Sequence, residues 1–340
     1  MKLYKIGVIG GGAIAQACHI PGYLKSGKCE LTAIADPCEK SLQQVQQAGF
    51  IFKKKYADYR KMLAENKFDA VSICTPNKFH KDAAIAAIRN GADVLLEKPI
   101  ATSVEDGEAI VAEAKKYKAR VMVAFSHRFN EHYDVVRKEL QKGSIGNLYM
   151  ARIRFAHSGP FPGWAKTDWF YSPNVAGGGA LLDMGIHAFD LIQWFMGHIT
   201  ALMAKTATLR KKIDVDDNAV IICEFGNKAL GYIEVGWTSP AGFVGVELMG
   251  DNGCIFIDYL ADKTTMIRGV TTPSGKTKKK TTVLYEKSKE PLWARQMKYF
   301  ISMIGKKQPF AVGLEEGLLS LKAACASYKS SRTGKRITIR

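Results

Sequence analysis

Over the first 125 residues, short apolar runs alternate with longer amphipathic stretches. The runs at 5–9, 31–35, 70–74, 94–96 and 121–124 have strand length, and the stretches at 39–48, 80–90 and 104–117 place apolar residues at helical spacing. Strands that alternate with helices predict a parallel sheet built from βαβ units, hence an α/β, doubly wound, Rossmann-like domain over residues 1–125. After Arg128 the rhythm changes. A helix at 133–141 leads to a long strand at 148–156. A loop rich in Gly, Pro and Trp then fills 159–179, and an apolar helix follows at 180–195. From 200 to 285 strand-like segments succeed one another, with turn signals at Gly226-Asn227, Pro240-Ala241-Gly242 and Asp251-Asn252-Gly253. Helices at 292–304 and 314–330 and a last strand at 336–339 close the chain. This half predicts an α+β domain, 126–340, with a large mixed or antiparallel sheet.

The boundary between strand one and helix one carries the first chemistry. Gly10-Gly11-Gly12-Ala13-Ile14-Ala15 contains G-x-G-x-x-A directly after an apolar strand. Gly10 permits the tight turn, Gly12 lets backbone approach a pyrophosphate, and Ala15 lets helix and strand pack closely. The helix N-terminus adds N–H groups and a positive dipole end. The second strand ends at Asp36, where an acid accepts hydrogen bonds from the adenosine ribose and repels a 2′-phosphate. NAD is therefore expected over NADP, although Asp36-Pro37 also suits a plain turn.

Other segments add residues without fixing their roles. Thr75-Pro76-Asn77 and His80 follow a strand and can line the nicotinamide half of the crevice, or His80 can simply start a helix. Lys98, in Glu97-Lys98-Pro99, ends a strand where Rossmann folds place their ligand, so Glu97 and Lys98 are expected at the cofactor. Asp183 and His187 stand four apart on a helix and so share a face. Arg128 suits a polyol or cofactor contact, or an interdomain salt bridge. His157, Trp164, Trp169 and Trp237 suit pocket walls. Asp216-Asp217 precedes an apolar strand and reads as a turn.

Taken together, the Gly10–Ala15 fingerprint, the stretch from Asp69 to His80, Glu97-Lys98-Pro99, and Gly177-Gly178-Gly179 leading to Asp183-Met184-Gly185-Ile186-His187 resemble the Gfo/Idh/MocA oxidoreductase family. The resemblance covers essentially the whole chain. It implies that Lys98, Asp183 and His187 face the nicotinamide and are catalytic. Lys98 would stabilise charge on the reacting oxygen, His187 would take the hydroxyl proton, and Asp183 would bind a neighbouring hydroxyl or tune the site electrostatically. It also implies a secondary alcohol of a sugar, glycoside or cyclitol as substrate, and a homodimer or homotetramer formed through the C-terminal sheet. An NAD-dependent glycosidase or lyase using transient ring oxidation, and a catalytically silent dinucleotide sensor, are the alternatives it leaves.

Composition changes this picture little. Seven scattered cysteines form no C-x-x-C pair, so no metal site is expected and the thiols read as reduced and cytoplasmic. The start of the chain reads as a strand rather than a signal peptide, and no run of about 20 apolar residues suggests a membrane span. The formal charge of +17 is not gathered into an aromatic-interleaved patch, so neither nucleic acid nor membrane is expected as a partner. The one dense run, Lys276 to Lys280, reads as a hairpin tip.

Overall fold

β1 (Tyr4–Ile9) is buried along its last four residues and pairs in parallel on both sides. Its neighbours are β2 (Cys29–Ala35) and β4 (Ala70–Ile73). With β3 (Lys54–Tyr56), β5 (Asp93–Leu96) and β6 (Val121–Val123) they form a six-stranded parallel sheet in the order β3-β2-β1-β4-β5-β6. This is the doubly wound order whose direction reverses between β1 and β4, and such folds bind ligands at the carboxyl ends of those strands. The computed structural model describes residues 3–240, 242, 245–271, 274–275 and 277–339. Ala241 of the expected turn and Lys276 of the basic run lie outside them.

The second sheet orders β14-β13-β12-β11-β7-β10-β9-β8-β15, nine strands among the described residues. Their ranges are β7 (Leu148–Ala156), β8 (Ile199–Ala207), β9 (Asn218–Phe225), β10 (Leu230–Gly236), β11 (Gly245–Gly250), β12 (Gly253–Asp258), β13 (Lys263–Thr271), β14 (Thr277–Glu286) and β15 (Ile337–Thr338). β10 runs parallel to β7 and every other pair is antiparallel, so the sheet is mixed. Its strands obey the two-residue period. Ala151, Ile153 and Phe155 of β7 are buried while Arg152 and Arg154 are exposed; Ala219, Ile221 and Cys223 of β9 are buried while Val220 and Ile222 are exposed. One face packs into a core with the helix Ile186–Met196, and the other is open.

By packing, the chain divides differently from a single cut near residue 125. The first unit holds 1–126 and also 161–177 and 293–321; the second holds 127–160, 178–292 and 322–340. Tertiary contacts explain the recruitment of 293–321. From the helix Leu292–Met303, Met297 packs on Gly22 and Phe300 meets Tyr23 edge-on. From the helix Leu314–Thr333, Leu318 and Leu321 pack on Gly107, while Gly317 abuts Ile100 and Val123. The loop expected at 159–179 contains two short helical turns, Trp169–Tyr171 and Pro173–Ala176.

The stretch Pro173–Met196 is long and apolar enough to cross a membrane by length and mean composition alone, although it holds no run of about 20 apolar residues. It is 83% buried over its apolar window and includes Asp183, His187 and Asp190, which identifies a core helix.

A Cβ on Gly317 would lie 2.5 Å from Ile100 Cγ2. Ile100 is β-branched, stiff and fully buried, so it yields little. Gly317→Val should cost about 1–3 kcal/mol in overpacking, against a helix-propensity gain of only about 0.4 kcal/mol. The urea midpoint of the variant should therefore fall; a rise would contradict this packing account.

Candidate active site

In the first unit the site grows from the turn after β1. Gly10 has φ +93°, and a Cβ there would lie 2.7 Å from the Cys74 carbonyl at the end of β4. Only glycine lets the two strand ends approach this closely. Ala15 is fully buried at the start of a wide turn, Ala15–His19, that continues into the helix Ile20–Lys25. Pro21 supplies a reason for the widening, because its ring would strike the Ala17 carbonyl in a straight helix.

Asp36 accepts from Gly11 N at 2.8 Å through Oδ2 and from Cys38 N at 2.8 Å through Oδ1. Each oxygen keeps capacity for one more donor, as a ribose hydroxyl requires. A Cβ on Gly12 would meet nothing within 4 Å among the described residues, which leaves room for a pyrophosphate. Thr75 Oγ1 is buried with no hydrogen-bond partner among the described residues. All three features fit a bound dinucleotide.

The remaining residues of this unit are braced from within. His80 is fully buried, with Nδ1 2.6 Å from the Pro99 carbonyl and Nε2 2.8 Å from the Thr75 carbonyl. Burial pushes its imidazole below the ordinary value, against the two carbonyls that hold its proton. His80 thus ties the Thr75-Pro76 turn to the Lys98-Pro99 segment. Asn77 donates to the Ala176 carbonyl at 2.8 Å. Glu97, expected at the cofactor, has its carboxylate 2.9 Å from His19 Nε2 and 3.3 Å from the Lys98 backbone N–H. His19 in turn meets Ser72 Oγ at 2.9 Å, and Tyr23 completes the chain at 2.7 Å from Ser72. Trp164 is exposed and edge-on to Phe170, while Trp169 stacks on Phe170 at 3.8 Å.

In the second unit Asp183 and His187 sit on the wide turn Leu181–Gly185 and the helix that follows it. The three glycines before it explain themselves. A Cβ on Gly178 would fall 2.2 Å from the Tyr328 hydroxyl, and one on Gly179 would fall 1.9 Å from the Asp216 carbonyl. Asp216 accepts from Gly179 N at 2.9 Å, Leu181 N at 2.8 Å and the Tyr328 hydroxyl at 2.7 Å. It therefore caps the helix from a distant loop. Burial raises its carboxyl above the usual range despite these three donors. For Asp217 burial pushes the same way, but N–H groups of Leu209, Arg210 and Lys211 outweigh it and leave the carboxyl below the usual value. The Asp216-Asp217 pair is thus more than a turn.

Asp183 and His187 are both buried, and each has a distinct partner set. Asp183 Oδ2 accepts from Trp237 Nε1 at 3.1 Å and lies 3.8 Å from His157 Nε2. Gly159 N donates to His157 Nδ1 at 2.8 Å, which puts the proton of a neutral His157 on Nε2, facing Asp183. The His187 ring lies 4.8 Å from the His127 ring, which stacks on Phe155 at 4.9 Å and meets the Tyr259 hydroxyl at 3.4 Å. Arg128 makes a bidentate pair with Asp190 at 2.8 and 2.7 Å and lies over Trp194. Its guanidinium is committed within the second unit.

Sequence reasoning missed His127, Tyr259, Asp216, Tyr328 and His19. Two of these carried a signal: His127, by its place beside Arg128 just past the last Rossmann strand, and Asp216, by its pairing with Asp217, which read only as a turn. Among the described residues, no three His, Cys, Asp or Glu side chains cluster as metal ligands.

These features define a class, the NAD-binding oxidoreductases with a Rossmann unit and a second, mixed-sheet unit. Residues 4–125 match the model described as "Oxidoreductase family, NAD-binding Rossmann fold", and residues 133–256 match the GFO/IDH/MocA C-terminal domain. The chain belongs to the GFO/IDH/MocA family. It is 27% identical over 333 residues to a myo-inositol 2-dehydrogenase of Thermotoga maritima, with 96% of each chain covered. It is 24% identical to a D-glucoside 3-dehydrogenase of Escherichia coli, over 98% of this chain and 97% of the relative. Among solved structures, a levoglucosan dehydrogenase in complex with NADH and L-sorbose superposes with a TM-score of 0.87 at 21% identity, covering 100% of both chains.

Asp36→Ala removes a charged acceptor from the ribose position. Charged hydrogen bonds contribute about 1.5–3 kcal/mol, so NAD should bind about 10–100-fold more weakly and the gap to NADP should narrow. Calorimetric titration with both cofactors checks this. Tighter binding of NADP than NAD by the unaltered protein would reject the role given to Asp36.

Proposed function

We propose that this protein is a cytoplasmic dehydrogenase that transfers a hydride between a secondary alcohol of a sugar, glycoside or cyclitol and NAD. The observation that supports this most is the helix turn bearing Asp183 and His187. Asp216 caps it, and Trp237 and His157 hold the Asp183 carboxylate in place. Such a rigid polar pair on a buried helix suits polyol recognition, and the relatives named for inositol and glucoside oxidation belong to the same family.

NAD held at the Gly10–Ala15 turn and Asp36 would supply the hydride acceptor for the alcohol carbon. The protein's own residues handle the oxygen and the proton. The Lys98 ammonium donates to the reacting oxygen and stabilises the charge that develops on it. His187 takes the hydroxyl proton as the carbonyl forms. Asp183 accepts from a neighbouring hydroxyl and so fixes which carbon presents its hydrogen. Trp237 and His157 line the pocket beside it.

The open face of the second sheet supports a further part of this reading, self-association. Met203, Val220, Ile222 and Leu230 are exposed there, on strands β8 to β10 beside the Arg152–Glu247 and Arg154–Glu234 ion pairs. An isologous homodimer or homotetramer would cover this face.

A screen of sugars and inositols at 340 nm tests the activity directly. On a verified substrate His187→Ala should lower turnover about 10²–10⁴-fold, the usual contribution of a general base, while NAD affinity stays close to normal. Lys98→Ala should also lose turnover severely, and Lys98→Arg should not restore it, because a planar guanidinium has different reach. Near-normal turnover in either alanine variant would remove these residues from the chemistry, and substrate loss without NADH would favour transient oxidation. Light scattering at micromolar concentration should show a dimer or tetramer; a monomer would count against the sheet interface.

A further inference from the structure

The loop between β8 and β9 places a cation beside Gly159, next to the residues that meet the Asp183 carboxylate. Its backbone is held by one carboxylate. Asp217, fully buried, accepts from the N–H groups of Leu209, Arg210 and Lys211 at 2.7, 2.8 and 2.8 Å. Thr208 closes the loop on the Val215 carbonyl at 2.8 Å. Trp237 N donates to the Asp217 carbonyl at 2.7 Å, so the loop is fastened to the strand end that carries Trp237. The loop is therefore a preorganised support for the side chain of Lys211.

That side chain runs across Gly159. A Cβ on Gly159 would lie 2.8 Å from Lys211 Cε, 2.9 Å from Lys211 Nζ and 3.4 Å from Trp237 Cβ. The bare Cα of Gly159, at φ +99°, is what admits the ammonium here. Gly159 also fixes the tautomer of His157, and His157 and Trp237 both meet the Asp183 carboxylate. Contacts thus run from Lys211 through Gly159 to the two residues that hold Asp183.

The charge of Lys211 is not neutralised from within. Asp217 spends its carboxylate on three backbone N–H groups and Asn218, and Lys211 Nζ makes no ion pair or hydrogen bond among the described residues. Other cations of this unit are differently placed. Arg128 is paired with Asp190, and Arg152 and Arg154 are paired with glutamates on the open sheet face. An unpaired, half-buried ammonium held beside the bare Cα of Gly159 is suited to receive an anion.

We propose that Lys211 is a specificity-determining residue, and that the substrate is an acidic polyol whose carboxylate or phosphate group Lys211 holds. This rests on the reading of Asp183 and His187 as the reaction site. The anionic end then lies at Lys211, a hydroxyl lies at Asp183, and the carbon to be oxidised lies toward His187. A neutral sugar would leave the ammonium without its partner.

The test is calorimetric titration of the NAD-loaded protein with D-glucose, D-glucuronate and D-glucose 6-phosphate, followed by turnover at 340 nm with the same three. At least one anion should bind more tightly than glucose, and adding salt should weaken it. The tighter of the two anions shows whether carboxylate or phosphate is recognised. Lys211→Met should lower the ratio of anionic to neutral affinity about 10–100-fold, the size of a charge-assisted hydrogen bond, and Lys211→Glu should lower it further. Thermal unfolding should be unchanged in Lys211→Met, since Nζ supports no internal bond. Equal binding of glucose and both anions, or an unchanged ratio in the variant, overturns the proposal. Lys211-dependent anion binding without NADH formation would uphold it while rejecting the hydride-transfer reading.

Discussion

Both units depend on backbone meeting backbone where no side chain fits. In the first, the turn after β1 comes so close to the end of β4 that a Cβ on Gly10 would collide with the Cys74 carbonyl. In the second, a Cβ on Gly179 would overlap the Asp216 carbonyl. Each glycine stands just before a helix that carries function, and each fixes where that helix begins. The collisions are with main-chain atoms, which cannot rotate out of the way as a flexible side chain could. Any residue larger than glycine would therefore displace the strand end or the helix, and with it Thr75 in one unit or Asp183 in the other.

How far these features could be read in advance follows from how local their causes are. Strands β1, β2, β4 and β5 announced themselves as apolar runs because both faces of a parallel sheet are buried. β3 did not. Lys54-Lys55-Tyr56 is short and polar, as an edge strand must be to discourage further pairing. The helices at 80–90 and 104–117 kept their expected bounds, since Gly91 and Lys118 end them in left-handed geometry and Ser103 caps the second. The assignment of 161–177 and 293–321 to the first unit was not legible. For 293–321 it depends on Gly22, Gly107 and Gly317 making contacts remote in sequence, and for 161–177 on contacts such as Asn77 donating to the Ala176 carbonyl. The capping role of Asp216 was illegible for the same reason, because its cap acts across 35 residues on Leu181.

Charge is handled in two contrasting ways inside the second unit. Arg128 and Asp190 are both nearly fully buried and exchange two hydrogen bonds in fork geometry. Such a pair gains little over an apolar substitute, but removing one partner typically costs about 3–5 kcal/mol because the other charge is stranded. It fixes the start of the 127–160 segment against the helix bearing His187, and so also fixes His127 beside that ring. Lys211 is the opposite case, a cation whose backbone is anchored and whose charge is left for a ligand.

The buried chain Tyr23–Ser72–His19–Glu97 has the order of residues that hydrolytic triads use, a hydroxyl, an imidazole and a carboxylate. Burial decides against that chemistry. Ser72 and His19 have no exposed surface, so no acyl group can reach the hydroxyl. The donors instead satisfy one another without adding charge. Tyr23 can donate to Ser72, Ser72 to His19 Nδ1, and His19 Nε2 to the Glu97 carboxylate. A neutral imidazole suffices, and a single carboxylate ends the chain. Its second oxygen accepts from the Lys98 backbone, so the network fastens the helix that follows the dinucleotide turn to the strand end that presents Lys98. On this account Glu97 serves the lysine beside it more directly than it serves the cofactor. The sequence could show the pair as neighbours but not the histidine, 78 residues away, that holds them in place.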